Sequence, residues 1–457
     1  MVEPLRPEAD DSCLAPSAAQ DRRHASAMND VQNQFRFSDI FDYCRMGAVL
    51  IMLSVCIGSV CALFLWLLDV VTACRIAHPV LLFGLPLAGV AVGLWYFWFG
   101  RDVEGGANLI VDEIHEPGAG VQLRMAPFVL IATVVSHLFG ASVGREGTAI
   151  QVGGSLASAT ARLFRLRSSE RCALLVCGIA AGFGSVFGTP VAGAVFALEV
   201  LTLGRLNYRF LLPAAMSSII ADWSCRAWGV HHVFYPLMFQ GTLSADGTLW
   251  HVNPVLAAKV AGAAVVFGCL SWIFTESVHR LAAVMKTVCP RSWLRPAIGG
   301  IATILLVMVV GNRDYLGLGV LPAEPGGASI VSFFGSACYP WSWFWKLVFT
   351  VVVLASGFKG GEVTPLFFLG AASGNALAHA LHMPVDLLAA VGFVSVFAGA
   401  ANTPLACTLM GVELFGAADI AYFAIGCFVA CTFSGKTGIY LSQRVGAMTL
   451  REARSRN

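Results

Sequence analysis

The chain has 457 residues, of which 57% are hydrophobic and 12% charged, about half the charged fraction of a typical soluble domain. The net charge of +2 gives no reason to expect a nucleic-acid partner. Uncharged apolar runs of about 18 residues or more are typical of membrane helices, and four of them occupy residues 46–68, 79–100, 172–198 and 387–412. The sequence therefore predicts an all-α protein that crosses a lipid bilayer many times.

The two ends of the chain are polar. Residues 1–40 contain no apolar run and are predicted to form an N-terminal tail, and residues 446–457 are predicted to form a short C-terminal tail. Arg22 and Arg23 lie in the first tail, and Arg451 and Arg454 in the second. The positive-inside rule then places both termini in the cytoplasm. We expect a multi-pass protein of the inner (plasma) membrane.

Two patterns recur between the tails. A G-x-E-x-T motif occurs at residues 144–148 and again at 360–364. A Thr-Pro pair occurs at residues 189–190 and at 403–404, each preceded by a matching Gly and followed nine residues after Pro by a Glu. Because the two shifts nearly agree, we predict two related halves, residues 41–230 and 231–445, with a functional site where they meet. The alternative is chance, since Gly and Pro recur in many membrane helices.

Several helices are predicted to be broken or too short to span the bilayer. Residues 147–161 form an uncharged stretch that is too short to cross at about 1.5 Å per residue. Proline in the Thr-Pro pairs removes a helical hydrogen bond, so the chain is expected to reorient there. Glycine-rich starts of such half-helices expose backbone N–H groups that attract anions.

An acidic residue, Glu146, follows a long uncharged stretch. Ionisable groups within membrane spans are functional by default, and Glu146 is predicted to lie at a helix start. There its carboxylate would occupy an anion site when ionised and leave it when protonated, so that one side chain acts as gate and proton carrier. The backbone at Gly144, Arg145 and Gly147 is the predicted anion-binding surface. The alternative is a structural salt bridge between Arg145 and Glu146.

The matching residue of the second half is Glu362. Thr364, two residues further along, offers a hydroxyl that can donate to an anion. The structural alternative is an ion pair between Lys359 and Glu362.

Three other patterns carry weaker predictions. Residues 140–144 read GASVG, which matches the nucleophile-elbow pattern and allows an intramembrane serine hydrolase that uses Ser142. Residues 112–116 read DEIHE, which lacks HExxH spacing, so we predict a solvated helix face and no metal site. Glu199 and Glu413 are predicted at helix ends near water or in packing roles, with a proton path as the alternative.

The motifs GREGT at 144–148, GTPVAGAVFALEV at 188–200 and GGEVTP at 360–365, together with Tyr440, resemble the CLC family of chloride channels and anion/proton antiporters. The resemblance covers most of the chain after residue 45. It implies a two-half inverted repeat of many tilted and broken helices, and a homodimer in which each subunit has its own pore. It implies no cofactor.

The departures from chloride-transporting members are similar to the fluoride-exporting CLC branch. The GSGIP loop of those members is replaced here by EGGANL, so the ion-binding serine is absent and either Gly106 or Asn108 stands near its place. The inner proton-transfer glutamate falls at Val200. The GFKGGEVTP segment is characteristic of the fluoride branch, and residues 108–115, NLIVDEIH, are similar to its first-half loop.

This resemblance implies export of fluoride in exchange for protons. Glu146 would be the gate, Glu362 and Thr364 would shape the ion and proton path, and Tyr440 would offer its hydroxyl to the anion. Alternatives are a chloride/proton antiporter or a passive anion channel of the same fold. Fluoride is a strong hydrogen-bond acceptor, so its site must replace water with good donors.

Overall fold

The computed structural model describes residues 37–204, 206–239, 252–435 and 437–445. The predicted tails, apart from residues 37–40, lie outside the described residues. The chain divides into two compact units, Met1–Val49 and Leu50–Asn457. The described part of the first unit is the start of a long helix, and the second unit contains all other elements discussed below.

The described part of the first half is helical, apart from one short strand. Its α-helices are α1 (Phe37–Ala77), α2 (Leu85–Phe99), α3 (Ala107–His115), α4 (Met125–Leu138), α5 (Glu146–Leu163), α6 (Ser168–Phe187), α7 (Pro190–Glu199) and α8 (Leu211–Ala227). Short 3-10 turns lie at Pro79–Gly84, Arg101–Val103 and Tyr208–Phe210.

The second half repeats this composition. Its α-helices are α9 (Pro254–Val288), α10 (Arg295–Val310), α11 (Ser342–Ala355), α12 (Val363–Leu381), α13 (Val385–Ala401), α14 (Pro404–Phe415) and α15 (Ile420–Phe433), with 3-10 turns at Ser292–Leu294 and Val331–Phe334. The strands β1 (Thr202–Leu203) and β2 (Arg444–Val445) pair in parallel and tie the end of the second half to the first.

Helix lengths fall into two groups. Within the part of the chain that the structure describes, five segments are long and apolar enough to cross a membrane: Tyr43–Ala77, Pro79–Phe99, Ser168–Phe187, Pro254–Val288 and Ser292–Val310. Six further apolar helices in these ranges are shorter, and they include α4, α7 and α14. A helix of about 20 residues is needed to span the hydrocarbon core, so the short helices reach only part of the way. The predicted mixture of spanning and broken helices is confirmed.

The Thr-Pro pairs mark the same break in both halves. Helix α6 ends at Phe187, Gly188 takes the left-handed conformation (φ 72°), and Pro190 opens α7. Helix α13 ends at Ala401, Asn402 is left-handed (φ 55°), and Pro404 opens α14. Proline suits the first position of a helix because its missing N–H would have no partner there. The predicted reorientation is confirmed at both pairs.

Glycines at matching positions in the two halves let neighbouring helices cross closely. In the first half, Gly153 of α5 and Gly178 of α6 lie so near each other that a Cβ on either would overlap the other's carbonyl oxygen. Gly370 of α12 and Gly392 of α13 form the same contact in the second half. Gly178 and Gly392 are the residues with which the repeated segments begin, so helix crossing explains why that position is glycine.

A glutamate of each half caps the start of a helix in the other half. Glu199, the last residue of α7, accepts hydrogen bonds from Leu405 N (3.0 Å) and Ala406 N (2.8 Å) at the start of α14. Glu413 of α14 accepts from Val191 N (2.9 Å) and Ala192 N (2.8 Å) at the start of α7. Each glutamate therefore caps the helix of the opposite half.

Candidate functional site

The two G-x-E-x-T loops meet directly. Gly144 N donates to Gly361 O (2.5 Å) and Gly361 N donates to Gly144 O (2.8 Å), an antiparallel bridge. A Cβ on Gly361 would lie 2.8 Å from Gly147 N, so only glycine permits this approach. The bridge brings together the starts of α5 and α12, which lie far apart in the sequence.

Glu146 is the first residue of α5, and its side chain is fully buried. One carboxylate oxygen accepts from Thr364 N (3.1 Å) and from Arg145 N (3.0 Å). The Thr364 hydroxyl donates to the other oxygen, which lies 3.6 Å from Arg145 Nε. The donors predicted to hold an anion are therefore occupied by the protein's own carboxylate.

Glu362 lies at the N-cap position of α12 and faces a cavity of about 240 Å³. Among the described residues it forms no ion pair with Lys359, so the structural alternative is not observed. The Lys359 ammonium lies 4.5 Å from the centre of the Tyr96 ring instead. Without that ion pair, the Glu362 side chain remains on the wall of the cavity.

The same cavity, which we call the inner cavity, brings together other residues predicted from the sequence. Gly106, Asn108, Gly147 and Tyr440 all line it. Thr364, Gly144 and Arg145 do not line it. The predicted anion-binding residues thus divide into a group on the inner cavity and a group around the Glu146 carboxylate.

Tyr440 offers an unused donor. Its side chain is 6% exposed, and its hydroxyl is buried with no hydrogen-bond partner among the described residues. Its ring packs edge-on against Phe196 of α7, 6.1 Å between centroids. A buried hydroxyl without a partner is costly. A hydrogen-bond acceptor in the inner cavity would remove that cost.

The first-half loop turns at Gly106, whose φ is +61°. Asn108 accepts from Ser442 N (3.2 Å) through its side-chain oxygen, so its amide ties this loop to the end of the chain. Gln151 of α5 also lines the inner cavity, although no sequence motif predicted it as a site residue. A lone amide among the small residues of α5, one turn beyond Glu146, was the available signal.

A second cavity, which we call the outer cavity, has a volume of about 460 Å³, and Arg145, Arg75 and Arg313 line it with Asp69 and Asp314. Gly147 lines the inner cavity and Arg145 lines the outer cavity, whereas Glu146, which stands between them in the sequence, is fully buried and lines neither.

Comparison with known proteins identifies the family. A model of the family described as "Voltage gated chloride channel" matches residues 88–435. The chain belongs to this family. It is 50% identical over 395 residues (85% of this chain, 84% of the relative) to the "Chloride/fluoride channel protein" of Pseudomonas syringae pv. tomato. It is 26% identical over 307 residues (64% of this chain, 61% of the relative) to the "H(+)/Cl(-) exchange transporter ClcA" of Salmonella arizonae.

Solved CLC structures match the fold. A CLC-type fluoride/proton antiporter superimposes with a TM-score of 0.82 at 32% identity, covering 89% of this chain and 99% of that chain. A slow cyanobacterial Cl⁻/H⁺ antiporter superimposes with a TM-score of 0.73 at 17% identity, covering 87% and 96%. The predicted all-α, two-half CLC architecture is confirmed.

Membership of the CLC family makes the chain an ion-transport protein of a membrane and not an enzyme. The Ser142 hydroxyl is buried and shares a hydrogen bond with Thr350 Oγ1 (2.9 Å). Among the described residues, neither ring nitrogen of His137 bonds Ser142, because Nδ1 bonds Thr133 O (2.8 Å) and Nε2 is buried without a partner. The serine hydrolase interpretation of GASVG is wrong, and the motif belongs to the loop that leads into α5.

Two acidic residues of the DEIHE segment, and Glu199, have structural partners. In the DEIHE segment, Glu113 accepts from Gly118 N (3.0 Å) and Glu116 pairs with Arg444. Val200 follows Glu199 at the end of α7 and is buried, 2% exposed. No carboxylate stands at Val200, and the Glu199 carboxylate is committed to the start of α14.

Proposed function

We propose that this CLC protein exports fluoride across the membrane in exchange for protons. The observation that carries the proposal is the buried Glu146 carboxylate, which accepts hydrogen bonds from Thr364 and Arg145; in this proposal it also blocks the way between the two cavities. Protonation would weaken these bonds, because a neutral carboxyl accepts more weakly than a carboxylate. The carboxyl would then leave, and an anion would take its place on the same donors. One side chain thereby links anion movement to proton movement.

The chemistry of the donors favours fluoride as the anion. Thr364 provides a hydroxyl, and Tyr440 provides a second one that has no partner. Arg145 and Gly147 provide backbone N–H groups near the bridge, and all of these suit a small anion that accepts hydrogen bonds strongly. The predicted contribution of the Gly144 N–H is withdrawn, because that group already donates to Gly361 O. The names of the 50%-identical relative and of the 32%-identical structure support the same anion.

Roles for the other predicted residues follow from their positions. Glu362 would carry the proton between Glu146 and the inner cavity, since it lines that cavity and opens α12. Asn108 and Gly106 would shape the anion path opposite Tyr440. The route inward of Glu362 would not use Glu199, because that carboxylate caps α14.

Location and assembly are part of the proposal. The arginines of both tails support cytoplasmic termini in an inner (plasma) membrane. The CLC resemblance supports a homodimer with a pathway in each subunit. If the N-terminus is cytoplasmic, the end of α1 with Arg75 lies on the external side of the membrane. The outer cavity, which Arg75 lines, would then be external, and the inner cavity would open toward the cytoplasm.

A passive anion channel is the second candidate. The observation that favours it is Val200, which leaves the inner end of α7 without a titratable group. A chloride/proton antiporter is the third, supported by the name of the 26%-identical relative.

Selectivity is tested with purified protein in liposomes loaded with equal concentrations of potassium fluoride and potassium chloride. We expect fluoride efflux to exceed chloride efflux by at least about tenfold, which corresponds to roughly 1.4 kcal/mol of preference. Ion-selective electrodes record both anions in one sample, and protein-free liposomes give the leak. Equal efflux of the two anions would contradict fluoride selectivity.

A further inference from the structure

A groove of about 670 Å³ lies between α1 and the segment that follows α8. Its α1 wall includes Ser59, Leu63 and Trp66, which follow one another at the spacing of a single helix face. Leu63 is 52% exposed and Trp66 58% exposed, and residues 228–231 form the opposite wall. The described chain leaves this largely apolar surface uncovered, on a helix long and apolar enough to cross the membrane.

The length of the groove matches one leaflet of a bilayer. Along α1 it runs from Ser59 to Asp69, and this stretch is about 15 Å long at about 1.5 Å per residue. The hydrocarbon core of a bilayer is about 30 Å thick, so each leaflet contributes about half of that. Asp69 is the first charged residue after the uncharged run of residues 46–68. The Asp69 end of the groove therefore lies at the level of the lipid headgroups.

The opposite end of the groove is built from a tryptophan that is held in place. Trp228 is 71% exposed, yet its indole Nε1 donates to Ser59 Oγ (2.9 Å). Ser59 Oγ in turn donates to Val55 O (2.8 Å), so the indole ring is tied to α1. An apolar site that is formed in advance and carries few polar groups suits a hydrocarbon chain.

The polar end of the groove carries a negative charge. Asp69 is exposed, and among the described residues no Lys, Arg or His nitrogen lies within 4.0 Å of its carboxylate. The second titratable residue on the groove is His231, which is also exposed. Arg75 and Arg145 line the outer cavity, which Asp69 also lines, but they do not line the groove. An ammonium group therefore complements this end, and an anionic headgroup does not.

We propose that the groove binds one phospholipid with a primary ammonium headgroup, phosphatidylethanolamine. One acyl chain would lie along Leu63 and Trp66, and the ammonium would donate hydrogen bonds to the Asp69 carboxylate. The His231 imidazole can donate to the phosphate. The bound headgroup would lie at the edge of the outer cavity, because Asp69 and His231 line both spaces. This lipid site does not depend on which anion the protein transports.

Lipid retention measured by native mass spectrometry tests the headgroup contact. The full chain is incubated in detergent with equal amounts of phosphatidylethanolamine and phosphatidylglycerol that carry the same acyl chains. We expect the wild type to retain phosphatidylethanolamine about fivefold more than phosphatidylglycerol, the effect of one partly exposed ion pair, and Asp69→Asn to remove this preference. Glu276→Gln is the matched control, since Glu276 lies on α9 and pairs with Arg280, and it should keep the preference.

Filling the groove tests the acyl-chain contact. Leu63→Trp should lower retention of both lipids several-fold, whereas Leu87→Trp, at a 76% exposed position of α2 that does not line the groove, should bind like the wild type. If Leu63→Trp accumulates poorly, Leu63→Phe is judged by the same criterion.

Three results would overturn the lipid site. They are equal retention of the two lipids by the wild type, a preference that survives Asp69→Asn, and lipid retention that Leu63→Trp leaves unchanged. A wild-type dimer that retains no lipid and that Leu63→Trp converts to monomers would also overturn it, and would assign the groove to a second copy of the chain.

Discussion

The side chains of Tyr440 and Glu146 are both buried but differ in their hydrogen bonding. The Glu146 carboxylate is buried with several donors around it, whereas the Tyr440 hydroxyl is buried with no partner. A carboxylate surrounded by donors holds its place until it is protonated. A donor without an acceptor marks a position that an anion can fill.

Replacing Tyr440 by Phe tests that position. The variant removes the hydroxyl and leaves the ring against Phe196, so the half-saturating fluoride concentration should rise by about tenfold or more, since a hydrogen bond to a charged group contributes about 1.5–3 kcal/mol. The melting temperature of the protein without fluoride should stay the same or rise, because a buried unpaired hydroxyl is lost. Fluoride flux and melting in detergent are the two measurements. Unchanged affinity together with lower stability would assign Tyr440 to packing.

The sequence predicted which residues belong to the site, but it did not predict their contacts. Thr364 was predicted to donate to an anion, and in the structure it donates to Glu146. That contact joins residues more than 200 positions apart, and no periodicity in the sequence encodes it. The Lys359–Glu362 ion pair was expected from nearness in the sequence, but Lys359 lies over the Tyr96 ring and Glu362 lines the inner cavity.

At the scale of elements, the repeat was the most informative feature of the sequence. It predicted both helix breaks, since Thr-Pro pairs limit what the backbone can do. The repeat did not predict that Glu199 and Glu413 would each accept hydrogen bonds from the helix start of the other half. Each glutamate was expected at a helix end near water or in a packing role. Both lie at or near a helix end, but Glu199 is buried, 7% exposed, and the helix that each one caps belongs to the other half.

This exchange predicts a stability effect. Glu199→Ala leaves the N–H groups of Leu405 and Ala406, of which the second is buried, without an acceptor, so we expect a loss of about 1–3 kcal/mol in unfolding free energy. Glu413→Ala should behave similarly, because it caps α7 in the same way. The control is Glu276→Ala, which removes an exposed pair with Arg280 and should cost at most about 0.5 kcal/mol. Urea unfolding in detergent micelles provides the comparison. A Glu199→Ala protein as stable as the wild type would contradict the capping role.

At the scale of the whole molecule, the buried Glu146 carboxylate stands in the sequence between a residue of the outer cavity, Arg145, and a residue of the inner cavity, Gly147. The apolar runs predicted the membrane fold, and the motifs predicted the residues around this carboxylate. The cavities themselves could not be predicted, because the inner cavity is lined by residues of several helices that are distant in the sequence, among them α2, α4 and α11, and the outer cavity by α1 and by the segments after α8 and α10. In the proposed mechanism, coupling depends on the release of Glu146 from its donors.

Proton movement driven by a fluoride gradient tests the central claim most directly. Liposomes loaded with fluoride and placed in weakly buffered, fluoride-free medium should take up protons as fluoride leaves, so the external pH should rise. Glu146→Gln, which cannot carry a proton, should abolish the pH change while any remaining fluoride efflux proceeds uncoupled. Fluoride efflux from the wild type with no change in external pH would contradict antiport and make the protein a passive channel.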